Sequence, residues 1–235
     1  MAGLEGIDAS SMELVDALGA RFAYDAGDRI VKPLVRHADF VPVAVAGPEG
    51  RRIEEARFGL PVGPRLLTNA RRDKLAASPA WKGLVRGGRC LAAVSYVVER
   101  DKAGHAYRIQ RRDGRVMVVP GLAAVRHYRF ASTGNEYDDL GHVQVTGEPN
   151  AHVASVHDRF LCELATPAHR DAWMDPATPP EDLLALLITA PDDRYEMVPI
   201  APDVWTRRKD PTAVAAIGPP VHAPAARDAT GSKAT

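Results

Sequence analysis

Short apolar segments of strand character recur along the chain, separated by turns and by a few helical patterns. Phe40 to Ala46 alternates valine with small residues and runs into a glycine-bounded turn, which predicts a strand. A longer apolar run extends from Cys90 to Val98, and two further segments, Ala106 to Arg111 and Val116 to Val119, flank a turn at residues 112–115. We expect these last three segments to pair as a three-stranded meander.

Helical patterns are interspersed with the strands without the regular alternation of a doubly wound sheet. Ser10 and Glu13 form a capping box, which predicts a helix over residues 11–19. A helix is expected with Ser78 as its cap and Pro79 as its first residue, ending at Gly87-Gly88. The other expected elements are helices over Pro167–Met174 and Pro180–Ile188, and strands over His142–Thr146 and Tyr195–Ile200, with a polar loop at residues 129–141 before the first of these strands. This mixture predicts an α+β domain.

The chain has 235 residues, 46% of them hydrophobic, which suffices for a substantial core. Its longest apolar runs, such as Val41 to Ala46 and Leu183 to Ile188, are far shorter than the ~20 residues of a bilayer helix. The first fifteen residues carry acidic side chains where a secretory signal carries positive charge. We therefore expect a cytoplasmic protein with one domain over residues 1–217 and a disordered Pro/Ala-rich tail over residues 218–235.

The charge is unevenly distributed although the formal net charge is zero. Residues 51–115 contain sixteen Lys or Arg, thirteen of them Arg, against six Asp or Glu, a net of about +10 that the rest of the chain balances. Such segregation can place a positive face on an acidic body, as nucleic-acid-binding proteins do. The alternative is that these arginines are solvated side chains paired with acidic neighbours.

Common catalytic signatures are absent from the sequence. There is no Walker loop, no G-x-G-x-x-G, no H-E-x-x-H and no G-x-S-x-G. Cys90 and Cys162 stand alone, without a second cysteine or a histidine at ligand spacing, so we expect neither a disulfide framework nor a metal site, and no cofactor is indicated.

Three polar residues follow or interrupt apolar segments and are candidates for chemistry. They are Asn69, Glu99 and His157. Each also has an ordinary structural explanation: a helix cap for Asn69, the solvated end of a strand for Glu99, and a histidine at the edge of the core for His157.

The order and spacing of short motifs give these residues more weight. The motifs are Arg57-Phe58-Gly59-Leu60, Asn69-Ala70-Arg71, Trp81-Lys82, Gly88-Arg89-Cys90-Leu91, Glu99 at the end of a strand, Arg112-Asp113-Gly114 followed by Gly121-Leu122, Thr146-x-Glu148-x-Asn150, and Val156-His157-Asp158-Arg159. In this order they resemble the blocks of the SOS-response-associated peptidase (SRAP) family, which processes abasic sites in DNA. The resemblance extends from about Phe40 to about Pro199.

The resemblance implies one α+β domain with a mixed, barrel-like sheet wrapped by helices. It also implies binding to single-stranded DNA and capture of the aldehyde of an abasic site through the thiol and α-amine of a cysteine at position 2, giving a thiazolidine. We expect the protein to be a monomer. In this chain Asn69 would orient the N-terminal residue and the sugar, Glu99 would transfer protons, and His157 would be a second acid/base group. Arg71 and Arg159 would hold phosphates, and the matching positions Thr146 and Trp81 would also contact DNA.

The chain departs from the family pattern where the nucleophile belongs. It begins Met1-Ala2-Gly3-Leu4 where the family has M-C-G-R, so the thiol and the following arginine are missing. Phe58 and Arg100 replace tryptophans, and residues 61–67 lack the aromatic side chains that stack on bases in relatives. Three interpretations remain: an abasic-site protein that uses the α-amine of Ala2 alone, a divergent and phage-related nucleic-acid binder without covalent chemistry, and a protein-interaction module.

Overall fold

The structure is a computed structural model that describes residues 4–130, 133–207 and 209–223. Within these ranges the strands are β1 Leu4–Ser10, β2 Arg21–Phe22, β3 Arg29–Val35, β4 Phe40–Gly47, β5 Gly50–Phe58, β6 Leu60–Val62, β7 Arg65–Leu67, β8 Asn69–Arg71, β9 Arg89–Val94, β10 Tyr96–Arg100, β11 Ala106–Arg111, β12 Met117–Arg129, β13 Glu136–Gly147, β14 Phe160–Leu161, β15 Tyr195–Ile200 and β16 Val221–His222. The α-helices are α1 Ser11–Leu18, α2 Lys82–Gly87, α3 Ala151–Ala154, α4 Pro167–Met174 and α5 Pro180–Leu186.

Five strands close into a barrel in the order β13, β12, β9, β4, β5. The ring closes where β13 pairs with β5 in parallel, with Gly141 opposite Arg57. A Cβ at Gly141 would collide with the Tyr128 hydroxyl and lie 2.8 Å from the Gly59 carbonyl oxygen, so this close approach requires glycine. The Tyr128 hydroxyl itself donates to that carbonyl at 2.7 Å.

Helices cover one face of the barrel strands. The largest apolar cluster joins residues of the barrel strands, such as Leu91 and Leu122, to residues of α1, α2, α4 and α5. The Trp173 indole on α4 donates to the Cys90 carbonyl at 3.0 Å, which ties this helix to β9. The expected α+β class, with a mixed barrel-like sheet wrapped by helices, is confirmed.

A second sheet of six strands has the order β16, β15, β11, β10, β1, β3. Here the expected meander is wrong, because β11 pairs with β10 and β15, whereas β12 pairs with β9 in the barrel. The apolar run from Cys90 to Val98 is split at Ser95, whose Oγ accepts the Asp8 N–H at 2.8 Å and whose N–H donates to the Gly6 carbonyl at 2.9 Å. These bonds to β1 let the chain leave the barrel and enter the second sheet.

Two segments that the sequence predicts to lack regular structure contain strands. Residues 129–141 were expected to form a loop, but β13 begins at Glu136 and pairs along β12 as far as Arg129. Charged pairs across this hairpin, such as His127 with Asp138 at 3.0 Å, explain its polar composition. The expected tail from residue 218 contains β16, which pairs with β15, and its residues 224–235 lie outside the described ranges.

The predictions for α1, α4 and α5 agree with the structure, whereas α2 begins at Lys82, three residues after the expected start at Pro79. The Ser10 hydroxyl caps α1 by accepting the Glu13 N–H at 3.1 Å, as the capping box indicates. Helix α4 covers the expected residues, and α5 ends two residues earlier than expected. Both cysteines are buried and free. In the described part of the chain, no helix is long and apolar enough to cross a membrane.

Candidate functional site

A small cavity lies between the two sheets. Strands β1 and β10 of the second sheet form one wall, and β5, β8, β13 and β14 of the barrel sheet form the other. Its lining consists of Leu4, Glu5, Phe58, Asn69, Val97, Glu99, Gln144, Phe160 and Leu161. It encloses about 20 Å³ for the centres of water molecules, which is room for about one. Two of the three predicted acid/base and orienting residues, Asn69 and Glu99, therefore share one cavity.

Glu99 is a buried carboxyl, with 5% of its surface exposed. Its Oε1 has no hydrogen-bond partner among the described residues. Burial raises the pKa of Glu99, and the nearby His157 opposes this increase. A carboxyl with a raised pKa and an unsatisfied oxygen can exchange a proton with a ligand in the cavity.

Asn69 enters the cavity from β8, which pairs in parallel with β13 and sets Asn69 beside Gln144. The Asn69 Nδ2 donates to the Thr68 Oγ1 at 2.9 Å, which fixes the orientation of the amide. The Asn69 side chain is partly buried, so it lies at the edge of the cavity.

His157 lies outside the cavity lining, between α3 and β14. Its Nδ1 accepts the backbone N–H of Arg159 at 3.1 Å and lies 3.2 Å from Asp158 Oδ1. These contacts hold the ring through Nδ1. Phe160 and Leu161, three and four residues further along the chain, line the cavity, so His157 lies a few residues from the lining while Asn69 and Glu99 are part of it.

A larger groove of about 520 Å³ adjoins the cavity. It contains three residues predicted to contact DNA, Arg71, Thr146 and Arg159. Thr146 is buried, and its Oγ1 has no partner within the described ranges. The other lining residues are Arg72, Asp73, Gly147, Glu148, Asp158 and Leu184.

The cavity and the groove are consecutive parts of one surface. Asn69 and Arg71 are two residues apart on β8, and Gln144 and Thr146 are two residues apart on the neighbouring β13. Because residues i and i+2 of a strand share a face, each strand contributes one side chain to the cavity and one to the groove. A polymer lying along the groove would thus pass the mouth of the cavity.

The arginines of the basic segment are largely paired within the protein. Arg71 donates to both carboxylate oxygens of Asp73, at 2.8 Å each. Other pairs are Arg51 with Asp171 at 2.7 Å, Arg57 with Asp139 at 2.6 Å, and Arg111 with Glu163. The groove has three arginines and three acidic residues, so its formal charge is balanced. Many arginines of residues 51–115 are thus paired with acidic side chains, as the alternative interpretation of the charge distribution predicts.

Two predicted site residues lie elsewhere. Trp81 has 5% of its surface exposed and packs in the largest apolar cluster next to α2. Its ring is therefore unavailable for stacking on a base, and the DNA-contact assignment of Trp81 is corrected to a core position. Ala2 lies outside the described residues.

Sequence reasoning missed a second carboxyl in the cavity, Glu5. Gln144 Nε2 donates to Glu5 Oε1 at 3.1 Å, and burial raises the pKa of Glu5 to about 8. The available signal was an acidic residue within the otherwise apolar Leu4–Ile7 segment. Among the described residues, no group of three or more His, Cys, Asp or Glu side chains is arranged to hold a metal ion.

The structure defines an α+β barrel protein with a polar cavity between its sheets and an arginine-lined groove beside it. The chain belongs to the SOS response associated peptidase (SRAP) family, whose sequence pattern matches residues 31–206. Family membership supports, in general terms, a DNA-associated role of the abasic-site-processing kind.

Solved structures share the fold. A protein from Bacteroides thetaiotaomicron has a TM-score of 0.70 at 16% identity, covering 92% of this chain and 99% of its own. A phage-related protein from Bordetella bronchiseptica has a TM-score of 0.64 at 18% identity, covering 84% of this chain and 93% of its own. A second Bordetella bronchiseptica protein has a TM-score of 0.63 at 15% identity, with 86% and 100% covered. A search of curated proteins gives no match.

Proposed function

We propose that this protein binds single-stranded DNA and captures the aldehyde of an abasic site as a reversible imine. The observation that carries the proposal is the continuity of the groove containing Arg71 and Arg159 with the cavity containing Asn69 and Glu99. The groove would hold the phosphates that flank the lesion, and the opened sugar would lie at the mouth of the cavity, with only its aldehyde oxygen in the space for one water.

The nucleophile in this proposal is the α-amine of Ala2, freed by removal of Met1. An α-amine with a pKa of about 8 is substantially neutral at cellular pH, whereas a lysine with a pKa of about 10 is mostly protonated. Addition of the amine to the aldehyde and loss of water both require proton transfer. The raised pKa of Glu99 and the nearby imidazole of His157 support that role.

Neither cysteine can replace the thiol that position 2 lacks. Cys90 and Cys162 are buried, and burial raises the pKa of both thiols, to about 12 for Cys162. A thiolate is therefore not formed at neutral pH. Without sulfur the imine cannot close into a thiazolidine, so the adduct should hydrolyse when the protein is denatured.

Intact-mass spectrometry after incubation with an abasic single strand tests the proposal. We expect one covalent adduct when borohydride is present and none when it is omitted, because reduction converts the imine into a stable amine. An oligonucleotide with a tetrahydrofuran in place of the abasic sugar has no aldehyde and is the matched control. An adduct that survives without borohydride would contradict the imine.

The same experiment separates the alternatives. Salt-dependent binding of single-stranded DNA with no borohydride-trapped adduct would favour the non-covalent nucleic-acid binder. No binding of DNA at low salt would favour the protein-interaction module.

A further inference from the structure

Glu5 faces the same cavity as Glu99, on the neighbouring strand, and this arrangement has a chemical use. We propose that Glu5 is the proton donor that expels water when the imine forms, while Glu99 acts as the proton acceptor. The inference rests on the proposed imine chemistry and assigns a residue that the family motifs do not include.

The register of β1 and β10 brings the two carboxyls together. These strands are antiparallel, with Glu5 opposite Val97. Val97 and Glu99 share a face because they are two residues apart, so Glu5 and Glu99 are diagonal neighbours on one face. Diagonal neighbours are about 7–8 Å apart, within reach of long side chains. Both glutamates line the cavity.

Glu5 is held in place and kept protonated by its surroundings. It has 4% of its surface exposed, and the amide that binds it, Gln144, has 1%. The hydrogen bond from Gln144 favours the ionised form, but the loss of solvation outweighs it, so the pKa of Glu5 rises to about 8. At neutral pH Glu5 is therefore mainly a neutral acid that can donate a proton.

The groups that face Glu5 come from each neighbouring strand. Glu99 comes from β10, Gln144 from β13 and Asn69 from β8, whereas β3 places Val35 opposite Glu5. His142 is on the same face of β13 as Gln144 but is not part of the cavity lining. Burial lowers the pKa of His142 to about 4, so this imidazole is uncharged at neutral pH. His157 and Asp158 act on Glu99 from outside the cavity.

The two carboxyls divide the proton transfers of the reaction. When the amine adds to the aldehyde, Glu99 in its ionised form takes a proton from the new ammonium nitrogen and passes it to the alkoxide oxygen, which gives the carbinolamine hydroxyl and restores the Glu99 carboxylate. In the next step the Glu5 proton moves to the hydroxyl of the carbinolamine, the C–O bond breaks, and water leaves as the nitrogen lone pair forms the C=N bond. The iminium N–H then returns a proton to Glu5. Hydrolysis runs through the same steps in reverse.

Single-turnover rates of borohydride trapping, measured from about pH 6 to pH 10, test this assignment. In the unmodified protein the rate should rise as the α-amine deprotonates and fall as Glu5 ionises near pH 8. Glu5→Gln keeps the oxygen that accepts from Gln144 but cannot supply the acid. It should lower the rate at neutral pH by roughly 10²-fold and remove the falling limb of the profile.

Two further variants serve as controls. Glu5→Asp retains the acid on a shorter side chain and should keep the falling limb at a reduced rate. Glu55→Gln, outside the cavity, should behave as the unmodified protein. If Glu5→Gln reacts at the same rate with the same pH profile, the role of Glu5 is wrong and the imine proposal stands. If the unmodified protein gives no trapped adduct at any pH, both proposals fall.

Discussion

Arg71 and Asp73 form a two-pronged ion pair inside the groove, with Arg71 Nε and Nη2 each 2.8 Å from a different carboxylate oxygen of Asp73. The guanidinium edge that would bind a phosphate is therefore occupied by a carboxylate of the protein itself. Both side chains are about half exposed, so the pair is weak and exchangeable with an incoming anion.

Asp73→Asn should therefore strengthen binding of single-stranded DNA. The substitution frees the fork of Arg71 and removes a negative charge from the groove, and we expect Kd to fall by roughly three- to tenfold at about 0.1 M salt. Fluorescence anisotropy with a labelled oligonucleotide measures the change. Asp8→Asn removes the same charge from the Arg29 ion pair, outside the groove, and controls for net charge. Equal effects of the two variants would contradict the competition.

Arg71→Ala and Arg159→Ala should weaken the binding of single-stranded DNA. Each phosphate contact that is lost should make the slope of log K against log salt shallower by about 0.7. The unmodified protein should prefer single-stranded DNA to duplex. Titrations between about 50 and 200 mM salt give the slopes. Arg51→Ala, whose side chain pairs with Asp171 outside the groove, should leave the slope unchanged. Slopes that do not change in the two groove variants would remove Arg71 and Arg159 from the interface.

Glu5 should make the protein less stable as pH rises. Its pKa is about 8 in the folded protein against 4.5 in the reference state. Between these values the folded state holds a proton that the unfolded state has released, so the free energy of unfolding falls with increasing pH. Glu5→Gln should remove this penalty and raise the stability at pH 8 by up to a few kcal/mol.

Urea denaturation at about pH 5 and pH 8 measures this effect. The two proteins should be similar in stability at the lower pH and differ at the higher one. A Glu5→Gln variant that is less stable at both pH values would show that the carboxylate, and not the acid, is the form the fold needs.

Local signals in the sequence predicted local structure well. The Ser10 cap and the Pro167 start of α4 are determined by side-chain and backbone groups a few residues apart, and both helices begin as expected. The switch of sheets at Ser95 depends on hydrogen bonds to β1, which is distant in sequence, so the apolar pattern of residues 90–98 could not reveal it.

The same difference between local signals and long-range contacts applies to the candidate site. Asn69, Glu99 and His157 could be proposed from the sequence because ordered motifs carry them. Glu5 was missed because its role depends on burial beside Gln144, 139 positions away in sequence. Trp81 was misassigned for the related reason that a motif match does not reveal whether an aromatic ring is buried.

The last prediction concerns the thiol missing from position 2. Ala2→Cys should restore a covalent adduct with abasic single-stranded DNA that forms without borohydride and survives denaturation. The amine and aldehyde first lose water to give the imine, and the thiol then adds to the C=N carbon, its proton passing to nitrogen, so that a five-membered thiazolidine closes. Intact-mass spectrometry without a reductant detects the product.

Ala2→Ser is the matched control, because a hydroxyl of similar size is a much weaker nucleophile than a thiol and should give no adduct that survives denaturation. In the Ala2→Cys background, Glu99→Gln should slow adduct formation by roughly 10²-fold, as expected for the loss of a group that moves protons. If folded Ala2→Cys protein gives no adduct while it still binds the strand, the cavity lacks more than its nucleophile. The chain would then be a nucleic-acid binder in which Asn69, Glu99 and His157 no longer perform chemistry.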